Sequence, residues 1–190
     1  MMDVYDVIMA RRTIRKFRQD PVGRKTLEKI IDAARMAPTG KNGQPLSYGI
    51  ISDRTLCNTI FPHTAWAAYL NGTYTPSETE RPTAYIAVFT DVENKSSSDV
   101  AAGAAVENML IMAQAEGIGS CWLGSVNREK VMAILGSPKN KHLLYLVALG
   151  YPSESPVAAP YKGDVKYYLD ENKVLNVPKK SFKEVVIVDR

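Results

Sequence analysis

The residue types that most often build metal and nucleophilic sites are scarce in this chain. It has two cysteines, Cys57 and Cys121, and two histidines, His63 and His142, among 190 residues. None of the four stands at a spacing typical of a metal site. Cys121 lies in a run typical of a buried strand, so a packed thiol is the better interpretation. We therefore predict neither a metal site nor a histidine-based catalytic site.

Long apolar runs are also missing. No stretch approaches the roughly 18 consecutive apolar residues of a membrane-spanning helix. In the N-terminal sequence MMDVYDVIMARR the charges follow the apolar stretch, whereas a signal peptide has them in front. The composition, 45% hydrophobic and 23% charged, is ordinary for a soluble globular protein. We expect one domain over residues 1–190, located in the cytoplasm, without a membrane partner.

The excess of positive charge is concentrated rather than spread. The net charge is +4 and the pI is near 9.0. Five of the eight residues from Arg11 to Arg18 are basic, and Lys179, Lys180 and Lys183 form a second group. Two compact patches suit a small anion better than a nucleic-acid track, so we predict no nucleic-acid partner.

Hydrophobic spacing and capping residues predict a mixed succession of helices and strands. The predicted helices are residues 4–10, 24–36, a short one after a cap at Asp53, 100–116 capped by Asp99, and 128–135 capped by Asn127. The predicted strands are residues 47–51, 85–90, 118–124 and 143–149, followed by a hairpin from 165–169 and 174–177. Residues 61–82 are predicted to be irregular, and residues 152–160 to form a weakly structured link. The helix at 100–116 is apolar on most faces, which is typical of a core or an interface. The extended tail, residues 151–190, favours a dimer.

Three segments are candidates for an anion and cofactor site. In the first, Arg11, Arg12 and Arg15 offer planar forks of donors for phosphate and Thr13 adds a hydroxyl, although a solvated basic face would look the same. In the second, 38-PTGKNGQP-45, the amides of Asn42 and Gln44 match the edge of a heteroaromatic ring, although the segment taken alone fits a plain surface turn better.

The third segment is 117-GIGSCWLGS-125. Its glycines do not form a dinucleotide-binding fingerprint, because a helix precedes them and a strand follows, which is the reverse of that motif. A strand that ends in Leu123 and Gly124 can still present backbone N–H groups to a flat ligand.

Taken in order, these segments resemble the nitroreductase family of flavoproteins. The resemblance rests on ARRTIRKF, AARMAPTGKNGQP, DVAAGAAVENMLIMAQAEGIGSCWLGSVNREKVMAILGSP, LVALGYP and VPKKSFKEVV. It implies an α+β fold with a central, largely antiparallel sheet flanked by helices. It also implies a homodimer that exchanges its C-terminal segments and binds FMN at the interface.

The resemblance assigns roles to individual residues. The FMN phosphate and ribityl chain would be bound by Arg11, Arg12, Thr13 and Arg15, with Lys179 and Lys180 of the tail completing the site. The 39–44 loop would approach the flavin from the partner subunit through Thr39, Lys41, Asn42 and Gln44, while Leu123 and Gly124 would lie along the ring. Two points depart from the family pattern. Glu80-Arg81-Pro82-Thr83 stands where an amide side chain often faces the flavin, and Lys162 is an alternative to Lys180.

The implied activity is ping-pong electron transfer from NADH or NADPH to nitroaromatics, quinones or similar small acceptors. The flavin carries the hydride, so no catalytic side chain is expected. Lys41 is a candidate for stabilising the reduced flavin. The alternatives are a specialised flavoenzyme on the same scaffold, such as a dehalogenase or a flavin-modifying enzyme, and a non-catalytic flavin-binding protein.

Overall fold

The computed structural model of this chain describes residues 3–93 and 98–188. Residues 1–2 and 189–190, the ends of the expected 1–190 domain, lie outside the described residues, as do residues 94–97. The helices are α1 (Val4–Ala10), α2 (Arg24–Arg35), α3 (Arg54–Ile60), α4 (Ser98–Ala115), α5 (Arg128–Leu135) and α6 (Phe182–Val185). The strands are β1 (Leu46–Ile51), β2 (Ala84–Asp91), β3 (Gly119–Leu123), β4 (Lys141–Gly150), β5 (Val157–Pro160), β6 (Tyr168–Leu169) and β7 (Leu175–Lys179).

The central sheet has four strands in the order β1-β2-β4-β3, and every neighbouring pair is antiparallel. Helices cover both faces. Leu27 of α2 and Met109 of α4 pack with Ile86 on one face, whereas Ile60 of α3 and Val131 of α5 belong to the cluster on the other. The predicted α+β fold with a largely antiparallel sheet is confirmed.

Local capping chemistry explains where the shorter helices begin and end. The Asp53 carboxylate accepts a hydrogen bond from the Leu56 N–H at 2.7 Å, and the Asn127 side chain accepts one from the Lys130 N–H at 3.2 Å. Gly136 ends α5 in the left-handed region, at φ 58°. The predicted caps at Asp53 and Asn127 are therefore confirmed.

The long helix α4 differs from its prediction in two respects. Asp99, the expected cap, lies within the first turn, where its carboxylate accepts a hydrogen bond from the Tyr145 hydroxyl at 3.0 Å. The helix also buries one face, with Ala102 and Val106 inaccessible, while Val100 is 86% exposed. Its alanines and glycine look apolar in sequence on every side, but only one side contacts the core of this chain.

The C-terminal segment folds into a second, three-stranded sheet in the order β5-β7-β6. The predicted hairpin is present as β6 and β7, which are antiparallel. Strand β5 lies in the link that the sequence treats as weakly structured, and it pairs in parallel with β7. This sheet packs on the 61–82 segment of the same chain through Leu175, Ala67 and Tyr74. Exchange of the tail between subunits stays a prediction.

The 61–82 segment contains three short 3-10 turns, at Phe61–His63, Ala68–Leu70 and Glu78–Glu80. Ala67 and Asn71 have φ angles of 46° and 47°, a region that non-glycine residues seldom adopt. The segment is therefore irregular, as predicted, but it has a defined path. No helix among residues 3–93 and 98–188 is long and apolar enough to cross a membrane.

Candidate functional site

The arginine segment, residues 11–17, lies along the edge strand β3. Thr13 forms a parallel bridge with Ser120, and the Ile14 N–H donates a hydrogen bond to the Ser120 carbonyl at 2.9 Å. Ile14 itself is 7% exposed. Two of the three candidate segments, the arginines and the strand that ends in Leu123, are therefore brought together by the fold.

Two glycines let this segment approach the sheet so closely. A Cβ atom on Gly119 would lie 2.8 Å from Cγ2 of Ile14, and one on Gly150 would lie 2.9 Å from Cδ1 of Phe17. Real Cβ atoms essentially never make contacts this short, so any larger residue would displace the segment. The glycines at the start of β3 and the end of β4 thus set the position of the arginines.

The three arginines of the segment have different environments. Nε of Arg11 forms an ion pair with the Glu107 carboxylate of α4 at 3.3 Å. Arg15 places its guanidinium 4.7 Å from the centre of the Tyr167 ring, a cation–π contact with the tail. Arg12 lines a cavity of about 240 Å³ together with Gln114.

Arg12 has a buried donor that fits an anionic ligand. Its Nε is buried and has no hydrogen-bond partner within the described part of the chain. Burial, and secondarily the charge of Arg11, lower the pKa of the Arg12 guanidinium from its ordinary value. A buried N–H without a partner is costly, and an anionic oxygen would satisfy it.

The end of β3 is held by a further arginine. Leu123 is buried, and Gly124 follows it at the end of the strand. The Arg128 side chain donates hydrogen bonds to the carbonyl oxygens of Gly124, at 3.1 Å, and Leu144, at 2.9 Å. These hydrogen bonds hold the backbone at Gly124 in place. Nothing in the sequence indicates this role, because Arg128 has the pattern of an ordinary surface residue of α5.

The loop from residue 39 to 45 has an unusual backbone. Lys41, Asn42 and Gln44 have φ angles of 52°, 53° and 43°, which non-glycine residues adopt at a cost of order 1 kcal/mol or more each. The Thr39 hydroxyl accepts a hydrogen bond from the Gln44 N–H at 3.1 Å. Such strain at exposed polar residues is more common at binding sites than in plain turns, so it favours the ligand interpretation of this loop.

One chain does not bring this loop to the arginine segment. The loop leads into β1, and the arginines lie on β3, at the opposite edge of the four-stranded sheet. Three inter-strand spacings separate the two edges, or about 14 Å. A site that uses both groups would have to combine residues from two copies of the chain.

The predicted tail lysines lie near one another at the end of β7. The Lys179 carbonyl accepts a hydrogen bond from the Tyr161 N–H at 3.0 Å, and Nζ of Lys180 lies 5.7 Å from the centre of the Tyr161 ring. Both side chains are exposed, as is Lys162. In this chain they accompany β5 and β7, so any contact with a phosphate at Arg11 stays a prediction.

The sequence did not point to one residue at the centre of this region, Glu154. Its carboxylate accepts hydrogen bonds from the backbone N–H groups of Arg15 and Lys16, the latter at 3.1 Å, and from the Tyr74 hydroxyl. The sequence gives little indication of this role, because the only unusual feature near Glu154 is the pair of rigid prolines, Pro152 and Pro156, on either side of it.

The position where the family often has an amide is occupied differently. Glu80 accepts hydrogen bonds from the backbone N–H and hydroxyl of Ser77 and pairs with Nζ of Lys16 at 3.0 Å. Burial alone would raise the pKa of Glu80, but the bonds from Ser77 and Lys16 outweigh it and lower the pKa. Glu80 is therefore a structural carboxylate, whereas the family often has at this position an amide side chain that faces the flavin.

The two thiols have no exposed surface of note. Cys57 and Cys121 are 2% and 4% exposed, and burial raises the pKa of each to about 12. Within residues 3–93 and 98–188, no three His, Cys, Asp or Glu side chains are grouped so that they could hold a metal ion.

Comparison with known proteins identifies the family of this chain. A sequence profile of the nitroreductase family matches residues 8–151. A relative from Archaeoglobus fulgidus, named "Putative NADH dehydrogenase/NAD(P)H nitroreductase", is 32% identical over 162 residues, which cover 81% of this chain and 88% of the relative. The NADPH-flavin oxidoreductase of Vibrio harveyi is 26% identical over 84% of this chain and 70% of its own length.

The crystal structure of "a putative nitroreductase in complex with FMN" from Desulfovibrio desulfuricans superposes with a TM-score of 0.72. It is 25% identical in sequence, and the match covers 100% of this chain and 98% of that one. The family profile spans α2 to α5 and the whole central sheet, including the arginine segment, the 39–45 loop and β3. This chain belongs to the nitroreductase family.

Proposed function

We propose that this chain is an FMN-dependent oxidoreductase that takes electrons from NADH or NADPH and passes them to a small oxidised organic acceptor. The observation that carries the proposal is the contact between the arginine segment and β3. It places Arg11, Arg12, Thr13 and Arg15 beside the strand that ends in Leu123 and Gly124. The phosphate and the ring of one flavin mononucleotide need such groups near each other.

The residues present fit FMN. The buried, unpartnered Nε of Arg12 calls for an anionic oxygen. A Cβ on Gly124 would make an ordinary contact with the Tyr145 ring at 3.8 Å, so the glycine keeps the backbone after β3 free of a side chain that a flat ligand would have to displace. When bound, FMN supplies hydride acceptance and electron release, and the chain supplies position, charge and exclusion of water.

The proposed active unit is a homodimer. Thr39, Lys41, Asn42 and Gln44 lie at the sheet edge opposite the arginines, so they would serve the site of a second copy. The strained backbone of this loop supports that role, because strain at exposed polar residues is more common at binding sites than in plain turns. Lys179 and Lys180 would complete the phosphate contacts in the same assembly.

The electron donor and the acceptors follow from the relatives. The names of the Archaeoglobus and Vibrio proteins include NAD(P)H nitroreductase and NADPH-flavin oxidoreductase. We propose that donor and acceptor occupy one pocket in turn, a ping-pong cycle, with nitroaromatics, quinones or free flavins as acceptors. No side chain is proposed to act as acid, base or nucleophile.

The first test is the visible spectrum of the purified, untagged protein. FMN released at about one per subunit, with bands near roughly 370 and 450 nm and oxidation of NADH or NADPH, would support the proposal. A protein that holds FMN but oxidises neither nucleotide would support the non-catalytic alternative. A colourless protein that fails to bind added FMN would contradict the proposal altogether.

A second test concerns Lys41. If its ammonium stabilises the reduced flavin of the partner's site, the Lys41→Met variant should show slower flavin reduction by NADH or NADPH in stopped-flow measurements. The matched control is Lys25→Met on the exposed side of α2. Equal reduction rates in the Lys41 variant and the wild type would remove Lys41 from the site.

A further inference from the structure

Glu154 joins three segments that are distant in sequence. One carboxylate oxygen, Oε1, accepts hydrogen bonds from the backbone N–H groups of Arg15 and Lys16. The other, Oε2, accepts a hydrogen bond from the hydroxyl of Tyr74 in the 61–82 segment. Hydrogen bonds to a carboxylate are stronger than those between neutral groups, so Glu154 is a strong polar contact of the arginine segment.

The backbone on both sides of Glu154 reinforces this junction. Ser153 donates its N–H to the Lys16 carbonyl at 3.0 Å, and Arg18 donates its N–H to the Tyr151 carbonyl at 2.8 Å. The arginine segment is thus held by Ser120 of β3 at Ile14 and by residues 151–154 at Arg15 and Lys16. Among the residues that the structure describes, only the Glu154 side chain accepts hydrogen bonds from the N–H groups of Arg15 and Lys16.

Tyr74 contributes more than its hydroxyl. It is 7% exposed and packs with Ala67 and Leu175, so it also joins the tail sheet to the 61–82 segment. Its ring lies 4.9 Å from Nζ of Lys16. Burial, followed by the contact with Glu154, raises the pKa of the Tyr74 hydroxyl, which therefore remains a donor throughout the usual pH range.

We propose that Glu154 is a positioning residue that holds the backbone of the arginine segment in the conformation that binds the cofactor phosphate, and that Tyr74 uses the same carboxylate to tie the 61–82 segment to it. The proposal rests on the proposed function, since it assumes that the arginine segment binds FMN. Glu154 acts through Arg15 and Lys16 and is not proposed to touch the cofactor.

Electrostatics alone makes the opposite prediction for Glu154. A carboxylate near a phosphate site repels the phosphate, so removal of its charge should tighten FMN binding in every variant. In Glu154→Gln the amide oxygen can still accept from both N–H groups, and the amide nitrogen can donate to the Tyr74 hydroxyl oxygen. In Glu154→Ala both N–H groups lose their partner. The two variants therefore separate positioning from charge.

The experiment titrates FMN into the apo-forms of the wild type, Glu154→Gln and Glu154→Ala and follows the quenching of flavin fluorescence. We expect Glu154→Ala to raise the Kd for FMN about tenfold and Glu154→Gln to stay within about threefold of the wild type or to bind tighter. Melting temperatures and circular dichroism of the apo-proteins establish that each variant is folded. If Glu154→Ala does not fold, Glu154→Asp is compared with Glu154→Gln instead. The shorter aspartate side chain cannot reach the same N–H groups, so we expect Glu154→Asp to bind FMN more weakly than Glu154→Gln.

The tie to the 61–82 segment has its own readout. Tyr74→Phe should increase the rate of chymotrypsin cleavage within residues 61–82 severalfold while it leaves the Kd for FMN within about threefold of the wild type. Tyr69→Phe is the matched control, because Tyr69 is 50% exposed and keeps its ring contact with Tyr167 at 5.0 Å. Equal cleavage of the Tyr74 variant and the control would overturn the tie.

The outcomes also separate this proposal from the proposed function. A wild type that binds no FMN overturns both. A wild type that binds FMN, together with a folded Glu154→Ala variant of unchanged or lower Kd, overturns only the positioning role. If Glu154→Ala binds FMN weakly and Glu154→Gln binds it as tightly as the wild type, the positioning role is supported.

Discussion

Replacement of Gly119 by alanine should damage both the stability and the proposed FMN site, because this glycine sets the distance between β3 and the arginine segment. An added Cβ would lie 2.8 Å, 2.9 Å and 3.0 Å from three side-chain carbons of Ile14. Ile14 is β-branched and buried, so it cannot rotate away without loss of its core contacts. The segment itself must move outward.

The size of the effect follows from other overpacked cores. One extra methyl group in a well-packed interior costs about 1–3 kcal/mol of unfolding free energy. For a chain of 190 residues this corresponds to a decrease in melting temperature of roughly 2–12 °C. The same outward shift moves Thr13 and Arg15, so FMN binding should weaken together with stability.

Gly124→Ala is the matched control at the other end of the strand. Its Cβ would meet Tyr145 at 3.8 Å, an ordinary contact, so the melting temperature of the apo-protein should remain within about 2 °C of the wild type. If the flavin lies along Gly124, this variant should lose FMN affinity without loss of stability. Scanning calorimetry and FMN titration of both variants give the answer. A Gly119→Ala variant as stable as the wild type would refute the reasoning about the close approach.

Three further predictions concern other parts of the chain. Gly103 lies inside α4 with nothing within 4 Å of an added Cβ, so Gly103→Ala should raise the unfolding free energy in urea by about 0.5–1 kcal/mol; a decrease would show that a second chain packs there. Burial raises the pKa of Cys57 and Cys121 to about 12, above the ordinary 9.0, so the unfolded chain ionises first. The contribution of the two thiols to the free energy of unfolding should be fully present below about pH 9 and should be lost toward pH 12, by up to about 1.4 kcal/mol per pH unit for each thiol. In urea unfolding from pH 8 to 11, a variant with alanine at both positions should lose stability less steeply than the wild type. Glu107→Gln releases Arg11 from its half-exposed ion pair, so FMN titration should show severalfold tighter binding with a stability change below about 1 kcal/mol, whereas weaker binding would mean that Glu107 orients the arginine.

Features encoded by neighbouring residues could be predicted from the sequence. Helix α5 was predicted with its observed bounds because its beginning and end are both local: Asn127 caps the first turn and Gly136 adopts the left-handed conformation after the last. The central strands were found to within about two residues because their apolar runs are continuous. The antiparallel arrangement of the sheet came from the family resemblance and not from the residues, and the order of its strands was not predicted.

Features that depend on distant partners could not be predicted. Strand β5 exists because Val157–Pro160 pairs with β7, about 20 residues further along, and its own residues indicate only a proline-rich link. Glu154 is significant only because Arg15 and Tyr74, far away in sequence, present donors to it. The burial of one face of α4 likewise depends on the position of α2 and the sheet.

The backbone bond from Ile14 to Ser120 has a consequence for how this protein could change during evolution. The edge of a sheet is a template for pairing with other chains, and the arginine segment covers part of the edge at β3. This protection depends on the backbone and on Ile14, and it does not need the charged side chains. A descendant that lost its chemistry would still be selected to keep Ile14, Phe17 and the two glycines that receive them, because loss of the shield would favour aggregation. Drift at the arginines together with retention of these apolar and glycine positions would therefore identify members of the lineage that have kept the fold and abandoned the reaction.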